Sequence, residues 1–259
     1  MVRIDIENLT CGYGDTTVLS DVNLSFSSED GLICIIGPNG VGKSTLVRCM
    51  DNLIAPTEGR ILLDGEDIRE VDRKHLADCI GFVQTMSSAQ TAMTVFEAVS
   101  MGRYNRLRWR MGKEDMWMID KAISVMGLDD LKGKYISELS AGQFQKVMIA
   151  RGLAQDTEVL ILDEPTSNLD IHAQVFVTSL LKEMARTQNR LILMICHDVN
   201  IASKMADKVL ILASPGKVLD YGTPEDVINQ ENIKEAYGVE CDITSHEGRP
   251  NILIKTDSV

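Results

Sequence analysis

No stretch of this 259-residue chain is apolar for long enough to cross a bilayer. Its longest apolar runs, around 159–162 and 191–196, fall far short of the ~20 residues that a membrane helix needs. Residues 2–9 alternate apolar and polar side chains, which predicts a strand, and they contain no signal-peptide core. Positive charge is scarce: 26 Lys and Arg stand against 38 Asp and Glu, a net charge of −12. Phosphate backbones need clustered cations, so no nucleic acid is expected as a partner. The local exception is the basic string Arg103-Tyr104-Asn105-Arg106-Leu107-Arg108-Trp109-Arg110. The cysteines (Cys11, Cys34, Cys49, Cys79, Cys196, Cys241) include no CxxC pair and no zinc-like spacing. Several lie in apolar runs, which predicts buried free thiols in a reducing compartment. Internal repeats and low-complexity tracts are also missing.

What is present suits a soluble α/β protein. Hydrophobic residues make up 44% and charged residues 25%, and the length suits one large domain with subdomains. Strands are predicted at 2–9, 17–26, 31–36, 60–63, 79–83, 159–162, 191–195 and 208–212. Helices are predicted at 42–50, 144–154, 171–186 and 199–205, with one or two short ones over 224–237. Such alternation means a parallel sheet with helices on both faces. Asp64-Gly65 and Ser214-Pro215-Gly216-Lys217 read as turns. From 95 to 127, Phe96, Val99, Met101, Met116, Ile119, Ile123 and Met126 recur at helical spacing, which predicts a mainly helical insert. Residues 239–259 carry weak signals.

Gly37-Pro38-Asn39-Gly40-Val41-Gly42-Lys43-Ser44, with Thr45 next, lies between a buried apolar run and a helical pattern. That is the context of a phosphate cradle. Glycines let backbone N–H groups turn toward phosphate oxygens, and the helix start adds about half a positive charge. In this pattern Lys43 reaches the β- and γ-phosphates of a nucleotide, and the Ser44 hydroxyl ligates Mg²⁺.

Val159-Leu160-Ile161-Leu162 is wholly apolar and ends in Asp163-Glu164. A strand of this kind puts two carboxylates at the rim of the sheet. There Asp163 can hold Mg²⁺ through water and Glu164 can polarise an attacking water. Alone, the pair also reads as an acidic helix start stabilised by the macrodipole. Leu139-Ser140-Ala141-Gly142-Gln143 is a glycine-containing turn that opens a helix, a second place where an anion can be met.

In this order, the strings resemble the ATP-binding-cassette (ABC) ATPases over essentially the whole chain. Ser140-Ala141-Gly142-Gln143 is similar to the family's signature motif, Gln84 to its Q-loop and Ser167-Asn168-Leu169-Asp170 to its D-loop. His197, which follows an apolar strand 34 residues after Asp163, resembles the switch histidine. Tyr13 stands where the family stacks an aromatic ring on adenine. Taken singly, Gln84 is also any polar strand end, His197 a capping or core histidine, and Tyr13 a turn-packing residue. Ala141 departs from the family, which usually has glycine there; its methyl group crowds the approach of a γ-phosphate and bears on the tightness of an ATP-bound dimer.

The resemblance implies an α/β P-loop NTPase core with a parallel sheet, an N-terminal antiparallel β subdomain and a helical insert. Residues 1–238 would form the ATPase domain, with a helical subdomain at about 86–157, and 239–259 a short tail. Glu164, His197 and Gln84 would be catalytic. Tyr13, the loop from Gly37 to Thr45, Ser140, Gly142, Gln143 and Asp170 would contact ATP, and Ser44, Gln84 and Asp163 would hold Mg²⁺. It further implies a homodimer at the cytoplasmic face of the cell membrane, two integral-membrane permease subunits and, indirectly, a solute-binding protein.

Two strings, Val99-Ser100-Met101-Gly102-Arg103-Tyr104 and the segment 162–170 with Ile171 and Gln174, resemble importers of the iron–siderophore, haem and cobalamin type. The implied activity is ATP hydrolysis that powers uptake of an iron chelate or cobalamin. In such ATPases the insert receives a coupling helix, so its methionines read either as an adaptable socket or as core filling. The arginine string reads as facing lipid headgroups or permease carboxylates, or as a solvated face. A cassette ATPase without a transport role and an importer of another substrate, such as a metal ion, stay open. A P-loop switch or kinase leaves the signature string and His197 without a job.

Overall fold

The computed structural model describes residues 1–84, 92–106 and 111–255, so the 107–110 part of the basic string lies outside the described residues, as do 86–91 of the expected subdomain and 256–259 of the expected tail. In chain order the elements begin with β1 (Arg3–Tyr13), β2 (Thr16–Ser27), β3 (Leu32–Ile36), α1 (Lys43–Met50), β4 (Glu58–Leu63) and β5 (Glu66–Asp67). There follow α2 (Arg73–Cys79), β6 (Ile80–Val83), α3 (Val95–Ser100), α4 (Lys113–Val125), α5 (Ala141–Gln155), β7 (Val159–Leu162) and α6 (Ile171–Gln188). Last come β8 (Leu191–Ile195), α7 (Val199–Met205), β9 (Lys208–Ala213), β10 (Lys217–Gly222), α8 (Pro224–Val227), α9 (Gln230–Tyr237), β11 (Cys241–His246) and β12 (Arg249–Ile254). Two compact units divide the chain: Met1–Val71 with Thr178–Val259, and Asp72–Val177.

In the first unit, an antiparallel sheet has the order β2-β1-β4-β5. Ile4 and Ile6 on β1 are buried in the half-buried alternation read from the sequence, and a register shift after Ile6 then moves the buried positions to Leu9 and Cys11. The Asp64-Gly65 turn takes positive φ at both residues, as a tight hairpin connection requires. A second sheet places β3 between β8 and β9, parallel to both, with β10 antiparallel beside β9. Every residue of β3 and β8 is buried, the mark of parallel strands covered on both faces. Asp207 fastens the start of β3: its Oδ2 accepts the Leu32 N–H at 3.0 Å, and its Oδ1 pairs with Lys182 at 3.0 Å.

The weakly patterned C-terminus folds. β11 and β12 form an antiparallel hairpin around Glu247-Gly248, both at positive φ. Its strand β12 packs on α7.

In the second unit β6 and β7 run parallel, and α3 and α4 pack on α5. The described arginines of the basic string divide: Arg103 is buried and takes no part in a solvated face, whereas Arg106 is exposed. Arg103 is 2% exposed; its Nε pairs with Asp115 at 2.9 Å and its Nη1 donates to the Ala154 carbonyl at 3.2 Å. Arg106 donates to the Asp156 carbonyl at 2.7 Å. Arg103 ties α4 to the end of α5, because a buried guanidinium needs its donors satisfied, while Arg106 holds only Asp156, the residue that caps α5. The methionines divide: Met126 is core, whereas Met101 and Met116 are exposed. All six cysteines are free thiols and all but Cys79 are buried, as expected.

Candidate functional site

The phosphate loop leaves the carboxyl end of β3 and enters α1 in the first unit. Gly37 has φ 147, and a Cβ there would lie 2.3 Å from the Leu212 carbonyl oxygen, so no side chain fits. Gly42 caps α1 in the left-handed region, φ 110, and its carbonyl accepts the helix's first bond from Leu46 N–H at 2.8 Å. Lys43 is 5% exposed, and its Nζ donates to the carbonyls of Gly37 at 2.7 Å and Pro38 at 2.8 Å. The ammonium therefore closes the loop into a ring around its own charge. A glycine loop at positive φ that opens a helix, with a buried cation beside it, suits a polyphosphate.

Ile35 pairs with Ile195 in parallel register, and Cys196 N–H donates to Ile35 O at 3.0 Å. Gly37 and His197 thus leave the carboxyl rim of adjacent strands, where α/β proteins bind ligands. His197 is exposed at that rim. Tyr13 ends β1 with half its surface exposed. Arg48 on α1 donates to its hydroxyl at 3.4 Å. That pairing joins residues 35 positions apart and no sequence spacing announces it.

Asp51 caps the carboxyl end of α1, and burial raises its carboxyl from the ordinary 3.8 to about 7. The folded state holds this proton more tightly than the unfolded chain does. Ionisation therefore costs the fold stability as pH climbs from about 4 to about 7, and the full cost persists above that. Asp51→Asn is expected to stabilise the protein at pH 8 by about 1–3 kcal/mol, roughly 2–10 °C in Tm, with the gain shrinking as pH falls to 5. Melting curves across that range check it.

The second unit holds the remaining predicted residues. Val83 pairs with Leu162, and Asp163 N–H donates to Val83 O at 2.8 Å, so Gln84 and Asp163 leave neighbouring parallel strands side by side. Asp163 is 5% exposed. Glu164 takes φ 52, a left-handed conformation unusual for a residue with a side chain, which turns the chain sharply at the strand end. The loop beyond it is tied down: Ser167 Oγ donates to Glu164 O at 3.1 Å, and Gln174 Nε2 donates to Thr166 O at 3.2 Å and Leu169 O at 3.0 Å. Asp170 Oδ1 accepts Ala173 N–H at 2.7 Å, so this carboxylate starts α6.

Ser140 caps α5 in a reciprocal box: its Oγ accepts Gln143 N–H at 3.3 Å while its own N–H donates to Gln143 Oε1 at 3.0 Å. Ala141 takes the first helical position and is exposed. At Gly142 a Cβ would lie 3.1 Å from the Asn168 carbonyl, so the signature turn and the loop before α6 lie against each other. A cleft of about 430 Å³ opens beside Gln84, lined by Met101, Tyr104, Met148 and Arg151 among others. Burial lowers the Arg151 guanidinium below its ordinary value.

The family described as ABC transporter matches residues 19–167. The chain is 38% identical over 246 residues to the ferric enterobactin transport ATP-binding protein FepC of Escherichia coli (strain K12), covering 93% of this chain and 89% of that protein. It is 33% identical over 244 residues to the petrobactin import ATP-binding protein FpuD of Bacillus anthracis, with 93% and 89% covered. Among solved structures, an inward-facing metal-chelate type ABC transporter aligns with TM-score 0.83 at 25% identity, covering 99% of this chain and 98% of that one. A dimeric ATP-binding cassette in a post-hydrolysis state with ADP and Pi aligns with TM-score 0.75 at 26% identity over 85% of this chain and 98% of that one.

Proposed function

The chain belongs to the ABC transporter family and carries its ATPase cassette, and from that premise we propose that it powers uptake of an iron chelate through separate permease subunits. The observation that carries the transport reading is the near full-length match to ATP-binding proteins named for ferric enterobactin and petrobactin. Among the described residues no helix is long and apolar enough to cross a membrane, so the pathway belongs to other subunits in this reading. The cleft beside Gln84 supports a place for a permease helix: Met101 and Met148 give it adaptable apolar walls, and Arg151 gives it a cation. The chain would then sit as a peripheral subunit on the cytoplasmic face of the membrane.

Hydrolysis follows from the roles given to the chain's own residues. The loop Gly37–Thr45 and Lys43 hold the β- and γ-phosphates, and Tyr13 stacks on adenine. Ser44, Gln84 and Asp163 offer a hydroxyl, an amide and a carboxylate oxygen, a hard donor set that suits Mg²⁺. When bound, Mg²⁺ neutralises charge on the phosphate oxygens. Glu164 orients a water in line with the γ-phosphorus and accepts its proton as the bond to the bridging oxygen breaks, leaving ADP and phosphate. His197 contacts the γ-phosphate and fixes its direction.

Ser140, Gly142, Gln143 and Asp170 complete the pocket of a second copy in a head-to-tail dimer. The capped start of α5 supports this, since its exposed turn is suited to an anion arriving from outside. Moving such a dimer from mostly open to mostly closed takes about 5.5 kcal/mol of differential binding, which two clamped ATP molecules can supply and hydrolysis withdraws.

The reading is tested by purifying the chain with the polytopic membrane protein that accompanies it and reconstituting both in liposomes. ATP-driven accumulation of radio-iron as ferric enterobactin or ferric petrobactin is the expected result. Hydrolysis with no accumulation of either chelate, haem or cobalamin would remove the iron-chelate reading.

A further inference from the structure

His197 stands between two anchors of different origin. Upstream, Cys196 is tied into the parallel sheet through Ile35. Downstream, Asp198 caps α7 by accepting the N–H groups of Asn200 at 2.8 Å and Ile201 at 3.0 Å. A helix of two turns is not stable alone, so its position depends on what it packs against. Here that partner is the C-terminal hairpin.

Asn200 uses both ends of its amide on one residue of β12. Its Oδ1 accepts Ile252 N–H at 2.8 Å, and its Nδ2 donates to Ile252 O at 3.2 Å. The side chain thus imitates the ladder partner that β12 lacks on its outer edge. One turn on, the buried Ser203 hydroxyl donates to Pro250 O. Proline offers that edge only a carbonyl, and a hydroxyl is the group that can use it. Two helix positions three apart therefore lock onto two strand positions two apart, which fixes α7 in both translation and rotation.

The same hairpin lines a cavity of about 570 Å³ together with the histidine, its walls including His197, Asn200, Ile233, Tyr237, Ile252 and Ile254. Tyr237, at the end of α9, turns a buried hydroxyl toward the Gly37 amide without making a well-formed hydrogen bond. The C-terminal segment accordingly backs the root of the phosphate loop and the histidine loop together.

We propose that the C-terminal hairpin is a clamp that sets where His197 meets the γ-phosphate, and that Asn200 is the positioning residue through which it acts. This rests on the reading of His197 as the γ-phosphate contact. Catalysis at a phosphoryl group depends on placement, and a displacement of about 1 Å can cost up to 100-fold in rate.

The test uses full-length chain and steady-state ATP hydrolysis. Asn200→Ala is expected to lower kcat about tenfold while KM for ATP stays within about twofold, since the phosphate loop is untouched. In a His197→Ala background, measured by single turnover, Asn200→Ala is expected to add less than about twofold, because the group it positions is gone. Equal, multiplicative losses in both backgrounds, or a wild-type kcat for Asn200→Ala beside a strongly impaired His197→Ala, would overturn the clamp. If His197→Ala itself turned over normally, the histidine reading would fall instead, and the two failures are told apart. Should Asn200→Ala not be recovered folded, Asn200→Ser, which keeps one polar contact, carries the same test with about a threefold loss expected and normal kcat as the refuting result.

Discussion

Glu164→Gln is expected to cut ATP turnover by at least about 100-fold while leaving ATP binding intact. The amide keeps the shape and the hydrogen-bonding reach of the carboxylate but cannot take the proton of the attacking water. The sharp turn that aims this side chain comes from the backbone, φ 52 with the Ser167 hydroxyl on the Glu164 carbonyl, and neither depends on the acid itself. With ATP bound and unspent, the closed pair of subunits should persist. Light scattering with ATP and Mg²⁺ should then read a dimer for the variant and mostly monomer for the wild type after hydrolysis. Turnover within tenfold of wild type would take the base assignment away from Glu164.

Lys43→Ala is expected to weaken ATP binding roughly 100-fold by titration calorimetry, the worth of one or two lost charge-assisted contacts to phosphate. The loss has a second source. Lys43 Nζ holds the Gly37 and Pro38 carbonyls, so its removal also leaves the loop without its internal brace. Lys43→Met, which refills the buried volume without the charge, should recover thermal stability but not affinity. An unchanged affinity in either variant would end the phosphate-loop reading.

How far the sequence could be read follows from how strongly each segment is patterned. β3, α1 and β7 were legible because a wholly apolar run that ends in glycines or in two carboxylates has few other uses. β1 and β2 were legible through alternation, although β1 continues to Tyr13, four residues beyond the clean pattern. β10 was missed: Lys217–Gly222 is only half-buried and forms the antiparallel edge of the sheet, so it never shows the apolar run of its neighbours. The hairpin of β11 and β12 was missed because its turn is Glu247-Gly248 rather than an asparagine or aspartate before glycine, and because Pro250 interrupts the second strand. Helix α2 offers one buried apolar residue, Leu76, too few to set a period. Arg103 misled for a different reason. A run of arginines reads as surface, and only a carboxylate twelve residues away, in the next helix, makes burial possible.

The candidate site divides in the same way. Motif residues at strand ends were named from sequence, since their spacing is local. Arg48 against Tyr13 and Asn200 against Ile252 join segments 35 and 52 residues apart, and nothing in either segment points to the other.

The sheet neighbours of β3 carry a consequence for how the chain is made. Leu32–Ile36 is wholly apolar, yet its lateral partners β8 and β9 lie at 191–213, and the carboxylate that holds its first amide is 175 residues away. On a ribosome adding about 5–20 residues per second, this strand waits on the order of ten to thirty seconds for the rest of its sheet. During that interval the nascent segment is an apolar ribbon with both edges unpaired, the kind of surface that sticks to other chains until its partners arrive.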